Sequence, residues 1–193
     1  MNSTKSTLKE VAQNIKAVAL DGDGVLFSGT VLVGRDSESG YLELAKERSH
    51  IDGQGMSLLR AAGIRIAFVS AEKGFVDYVG EKLNSLSSVK NGMWPKVAVF
   101  SGVIGKDKVR VLEDWLKEIN TSWGECAYMG DDVGDFEVMK KVGLPSAPAQ
   151  AERVIKDIAS FVTVRHGGNG AIRDLCNYIL EAKGIDPLSL ALR

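Results

Sequence analysis

Ile15-Lys16-Ala17-Val18-Ala19-Leu20-Asp21-Gly22-Asp23-Gly24-Val25 is the stretch whose reading decides the fold. A short apolar run suits a buried strand, and it ends in two carboxylates one residue apart, with a glycine between them and another after. That arrangement puts acid chemistry on a tight loop at the carboxyl end of a strand, where open α/β sheets bind ligands. A second cluster, Gly130-Asp131-Asp132-Val133-Gly134-Asp135, follows another apolar run, Cys126-Ala127-Tyr128-Met129. With the two strands side by side, four or five carboxylates converge on one spot. Like charges share a dry site only when a cation or protons neutralise them, so a divalent metal is expected.

The rest of the chain alternates in the same way. Strands are predicted at 15–20, 64–69, 97–100, 125–129 and 161–164. Helices are predicted at about 53–62, 75–85, 108–119, 136–142, 151–158 and 171–182, with Gly63, Gly143 and Gly184 just past helix ends as left-handed caps. Strands alternating with helices imply right-handed crossovers and an α/β fold: a doubly wound parallel sheet with helices on both faces. One segment departs from this. Residues 30–33 and 41–44 flank the polar stretch 34–40, which reads as a β-hairpin inserted after the first strand. A lone hairpin is marginal in water, so this one is expected to pack either on a neighbouring subunit or over its own domain.

Composition narrows the function classes. At 193 residues one domain spanning 1–193 is expected, with the hairpin as a flap at about 28–47. Net charge is −1 with 25% charged residues, so no global field points to nucleic acid or an anionic membrane. The apolar runs are too short to span a bilayer, and the polar residues 1–5 lead into no signal-peptide core. Two cysteines, Cys126 and Cys176, make no disulfide framework and read as buried thiols; the expected compartment is the cytoplasm.

The Asp21/Asp23 pair can divide two tasks. Asp21 can attack phosphorus as a carboxylate, forming an aspartyl-phosphate, while Asp23 gives a proton to the leaving oxygen and later takes one from water. Asp131 would complete an oxygen-rich site suited to Mg²⁺. A calcium loop is excluded, because positions 5 and 12 counted from Asp21 hold Val25 and Leu32. Charge on the phosphoryl oxygens also needs cover. Ser70 ends its strand with a hydroxyl, and Lys108 opens a helix with a cation; alone, each reads as a cap or a surface residue.

The ordered set Asp21-x-Asp23-Gly24, Ser70, Lys108 and Gly130-Asp131-Asp132-x-x-Asp135 resembles the four motifs of the haloacid dehalogenase superfamily of phosphohydrolases. The resemblance implies Asp21 as nucleophile, Asp23 as general acid/base, and Ser70 and Lys108 as phosphate binders. It implies Mg²⁺ held by Asp21, Asp131 and the backbone carbonyl of Asp23, supported by Asp132 and Asp135. No full cap domain fits between the first two motifs. The segments Asp52-Gly53-Gln54-Gly55-Met56 and Gly167-Gly168-Asn169-Gly170-Ala171-Ile172-Arg173 are similar to those of the capless 3-deoxy-manno-octulosonate 8-phosphate phosphatases. That group implies a homotetramer, a small phosphorylated sugar acid as substrate, and substrate contacts at Gly22, Ala71 and Gly168. A sister group, the tail domains of CMP-sialic acid synthetases and free phosphatases of nine-carbon ulosonate 9-phosphates, is resembled through Glu113-Asp114-Trp115, Trp123 and Val142-Gly143-Leu144-Pro145-Ser146-Ala147-Pro148.

The chain departs from the octulosonate group at the substrate end. Ala71-Glu72, Ile51 and Asn169 stand where that group usually places arginines. A nine-carbon ulosonate 9-phosphate and a non-catalytic tetramerisation module therefore stand as alternatives, although such modules tend to lose the carboxylates retained here. A phosphoacceptor receiver domain is disfavoured, because the third predicted strand ends in Phe100-Ser101-Gly102 with no aspartate.

Overall fold

The computed structural model describes residues 7–38 and 40–191; the polar residues 1–5 read above lie outside them. At its centre is β1 (Ala17–Leu20), whose four residues are fully buried because helices cover both faces of the sheet. It pairs in parallel with β4 (Arg65–Ser70) on one side and β6 (Cys126–Met129) on the other. With β5 (Val97–Ser101), β7 (Leu144–Ala147) and β8 (Phe161–Val162) the sheet has six strands in the order β5-β4-β1-β6-β7-β8, all parallel. The two remaining strands, β2 (Val31–Gly34) and β3 (Leu42–Lys46), form the antiparallel hairpin.

Strand alternation sorts the core into two layers. Val18, Leu20, Ile66, Phe68, Ala127 and Met129 face α2 (His50–Ala61), α3 (Phe75–Asn84) and α8 (Ala171–Ala182). Ala17, Ala19, Ala67, Val69, Cys126 and Tyr128 face α5 (Asp107–Glu118), α6 (Phe136–Met139) and α7 (Arg153–Ile158). The short helices α1 (Leu8–Gln13), α4 (Ser87–Lys90) and α9 (Pro187–Ala191) are not among those predicted from the sequence. No helix among the described residues is long and apolar enough to cross a membrane.

Two sequence expectations need correction. Strand β7 went unrecognised because Pro145 sits inside it, and proline normally argues against an interior strand. It is tolerated because Pro145 contributes through its carbonyl, which accepts from Ser160 N–H at 2.8 Å. Gly143 is not a left-handed cap, unlike Gly63 (φ 81°) and Gly184 (φ 68°). It is needed because a side chain there would run into the backbone of Gly124.

Candidate active site

The register of the central strands brings the motifs together. Leu20 lies beside Phe68 of β4 and Met129 of β6, so the next residues, Asp21, Val69-Ser70 and Gly130-Asp131, emerge at one carboxyl edge. Asp21 N–H donates to Met129 O at 3.0 Å, tying the first loop to the fourth motif. The loop then turns through Gly22–Leu26, closed by Phe27 N–H on Gly22 O at 3.0 Å. Gly24 has φ 75°, and a Cβ there would overlap the Asp131 carboxylate; the glycine lets the two acidic loops touch.

At the centre, Asp21, Asp131 and Asp135 each present a carboxylate oxygen within 4.8 Å of the others. Buried Lys108 bridges two of them, donating to Asp21 Oδ1 at 2.9 Å and Asp135 Oδ1 at 2.7 Å. Asp135, 1% exposed, also accepts from Tyr128 OH at 2.7 Å and from the backbone N–H groups of Asp131 (3.1 Å) and Asp132 (3.5 Å). It therefore organises the fourth-motif loop. Asp132 points outward and caps the next turn through Val133 N–H at 2.6 Å.

The electrostatics show a site short of positive charge. Burial, then the Asp135 charge, pushes the Asp21 carboxyl up to about 8, against the pull of Lys108. Burial, then Asp135 and Asp132, pushes Asp131 up to about 7. Burial alone would lower Lys108, but Asp21 and Asp135 outweigh it and hold the ammonium charged. A divalent cation among oxygen ligands fits this donor set, since it would relieve the repulsion one lysine leaves uncompensated.

The other predicted residues take distinct places. Ser70, 2% exposed, sits against Gly22 with its Oγ accepting from Glu72 N–H at 3.1 Å. Glu72 turns its carboxylate onto the start of α3, accepting from Phe75 and Val76 N–H at 2.8 Å each. Ala71 is exposed beside it. Gly168 lies behind the first loop, its N–H donating to Val25 O at 2.8 Å. Asp23, like Asp132, turns away from the cluster, so three carboxylates converge rather than the four or five expected; both Asp23 oxygens accept from Lys46 Nζ at 2.8 Å.

Four residues near the site were given no role of their own from sequence. Lys46 and Gln150 gave no motif signal because each acts across a long sequence separation, Tyr128 read as one more apolar strand residue, and buried Asp52 was read only as part of a family-like segment, with no role of its own. Gln150 bridges Gly24 O (2.7 Å, donating) and Gly167 N–H (2.9 Å, accepting). Asp52 caps α8 through Gly170 N–H (3.0 Å) and Arg173 N–H (2.9 Å). Beyond Lys46 opens a cavity of about 780 Å³ between β3 and α3, with walls including Phe27, Phe75 and Tyr78. Its charged lining groups, Lys46, Arg48, Lys73 and Lys82, are all basic.

Known proteins share this fold. The chain is 31% identical over 173 residues to the 3-deoxy-D-manno-octulosonate 8-phosphate phosphatase of Salmonella typhi, covering 90% of this chain and 83% of that protein. The Moraxella catarrhalis 3-deoxy-D-manno-octulosonate 8-phosphate phosphatase, solved with magnesium, phosphate and KDO, superposes with a TM-score of 0.79 at 26% identity, covering 96% of this chain and 97% of that one. The cobalt-bound deoxy-D-mannose-octulosonate 8-phosphate phosphatase of Haemophilus influenzae gives a TM-score of 0.77 at 27% identity, covering 95% and 99%. Residues 57–174 match the haloacid dehalogenase-like hydrolase family, and with that match and the identity to its relatives over 90% of the chain, the chain belongs to that family.

Proposed function

We propose that this hydrolase cleaves the phosphate monoester of a 2-keto-3-deoxy sugar acid, with 3-deoxy-D-manno-octulosonate 8-phosphate as substrate. The observation that carries the reading is the convergence of Asp21, Asp131, Asp135 and Lys108 at the carboxyl edge, beside Ser70 and Gly22. The names of relatives about 30% identical supply the substrate.

In this reading the Asp21 carboxylate attacks phosphorus, and an Asp21 O–P bond forms as the ester P–O bond breaks. The departing alkoxide takes a proton from Asp23. Water then attacks phosphorus, giving its proton to Asp23, and the Asp21 O–P bond breaks to release inorganic phosphate. Ser70 and Lys108 hold the phosphoryl oxygens. Asp21, Asp131 and the Asp23 backbone carbonyl would hold Mg²⁺, which supplies charge neutralisation at the phosphoryl group. Asp132 and Asp135 steady that loop. The cavity beyond Lys46 offers room, and Arg48, Lys73 and Lys82 offer charge, for the sugar acid's carboxylate.

We also propose a homotetramer. Leu32, Val33, Leu42 and Leu44 of the hairpin are 63%, 50%, 46% and 52% exposed. Each would gain roughly 1.5–3 kcal/mol on full burial, which a neighbouring subunit can provide.

A nine-carbon ulosonate 9-phosphate is the second reading, supported by the likeness of Glu113-Asp114-Trp115, Trp123 and residues 142–148 to the sister group, while Glu72 stands where the octulosonate group usually has an arginine. A phosphate-release screen with Mg²⁺ over octulosonate 8-phosphate, nine-carbon ulosonate 9-phosphates and hexose phosphates decides between them. Asp21→Asn should abolish turnover on whichever is cleaved while leaving the fold intact. Wild-type turnover in that variant would refute the covalent mechanism.

A further inference from the structure

The side chain of Asp23 is held by the hairpin. Lys46, the last residue of β3, lies 23 positions away and places its Nζ 2.8 Å from both Asp23 oxygens. Among the described residues it is the only hydrogen-bond partner of that carboxylate. The two side chains are unequal: Lys46 is 5% exposed and Asp23 is 48% exposed. The lysine is fixed by its surroundings, with its Nζ 5.8 Å from the Phe27 ring centroid and 5.7 Å from that of Phe75. Its other ion-pair partner is Glu43 on the same strand, at 3.6 Å, and Glu72 also lies near enough to act on its charge. The half-exposed aspartate thus takes its direction from a nearly buried cation, and the hairpin base is tied to the first loop by Ser28 N–H on Glu47 O at 3.0 Å.

We propose that Lys46 is a positioning residue for Asp23, so that the hairpin of each chain aims the acid/base group of its own active site. This rests on the reading of Asp23 as general acid/base given above. Lys46 forms no bond to substrate in the proposal. It fixes the plane and rotamer of the carboxylate that gives a proton to the alkoxide and then takes one from water. Misplacing such a group by about 1 Å costs on the order of 10²-fold in rate.

The test uses Lys46→Met, which keeps the packed stem, and Lys46→Arg, which keeps the cation, alone and combined with Asp23→Asn. Substrates are p-nitrophenyl phosphate and the best primary alkyl phosphate from the screen. The alkyl ester needs its leaving oxygen protonated; p-nitrophenolate leaves without help. Lys46→Met should therefore lower kcat on the alkyl ester on the order of 10²-fold with KM little changed. With p-nitrophenyl phosphate it should still give a fast burst of p-nitrophenolate, followed by slow turnover as the phosphoryl-enzyme waits for its base. Added to Asp23→Asn, Lys46→Met should cause no further loss, because it acts only through Asp23. Lys46→Arg should recover part of the rate.

A rise in KM at constant kcat, an equally slowed burst, or a further loss in the Asp23→Asn background would overturn the proposal. Should Lys46→Met fail to fold, Lys46→Arg decides: a rate loss that persists in full when Asp23 is already Asn overturns it. An Asp23→Asn chain that treats both esters alike instead sinks the assignment of Asp23 itself, and the role of Lys46 with it. Discrimination by Asp23→Asn but not by the lysine variants sinks the lysine's role alone.

Discussion

Asp135→Asn exchanges one carboxylate oxygen for an amide nitrogen at a position 1% exposed, with almost no change in shape. Asp135 now accepts from four donors, with Lys108 and Tyr128 on Oδ1 and the N–H groups of Asp131 and Asp132 on Oδ2. In either orientation the new NH₂ faces two of those donors. Lys108 also loses one of its two anions. Breaking a buried ion pair from one side costs about 3–5 kcal/mol. One term opposes this. The Asp135 charge is the second-largest influence raising both Asp21 and Asp131, and its removal returns on the order of 1 kcal/mol. The net loss is about 2–4 kcal/mol, and a chain of this length shifts Tm by about 2–4 °C per kcal/mol, so Tm should fall by about 4–16 °C. Differential scanning calorimetry of metal-stripped protein in EDTA at pH 9, where Asp21 and Asp131 are both ionised, measures it. A Tm within about 2 °C of wild type would show that Asp135 does not organise the site and would refute the bookkeeping.

Asp21 and Asp131 hold their protons more tightly folded than unfolded, with carboxyls pushed up to about 8 and about 7. The native state therefore binds more protons between the unfolded value near 4 and those raised values, so the metal-free stability should fall as pH rises through that window. Added Mg²⁺ should offset the fall; a Tm that is flat with pH in EDTA contradicts the electrostatics described here. Gly24→Ala puts a methyl group into the Asp131 carboxylate at φ 75° and should weaken Mg²⁺ binding by on the order of tenfold in isothermal titration; unchanged affinity would mean the two loops can part at no cost. Deleting residues 31–44 should reduce the subunit count seen by light scattering and lower activity on the sugar acid more than on a small generic ester. A stable, fully active monomeric wild type would refute the assembly.

Sequence alone was enough for most of what depends on neighbours along the chain, although it missed the short helices α1, α4 and α9. The apolar run ending in Asp21-Gly22-Asp23-Gly24 could only be a buried strand feeding an acidic loop, and the alternation of strands and helices implied the parallel sheet that is found. Ser70 and Lys108 were legible because their order relative to the acidic loops carries the family pattern, though each alone has a duller reading. What sequence could not show is what depends on through-space pairing. Lys108 reads as a helix-opening cation, and only the fold places it between Asp21 and Asp135. Tyr128 looks like one more apolar strand residue until strand alternation turns its hydroxyl to Asp135. Strand β7 was hidden because Pro145 removes the local signal, while the ladder with β6 that makes it a strand lies outside its own sequence. Lys46 is the sharpest case. Nothing in its neighbourhood marks it, because the carboxylate that gives it meaning lies 23 residues away and meets it only when the hairpin folds back on the first loop. Local hydrophobic pattern and turn chemistry are written in consecutive residues; electrostatic pairing across loops exists only after the chain has closed them.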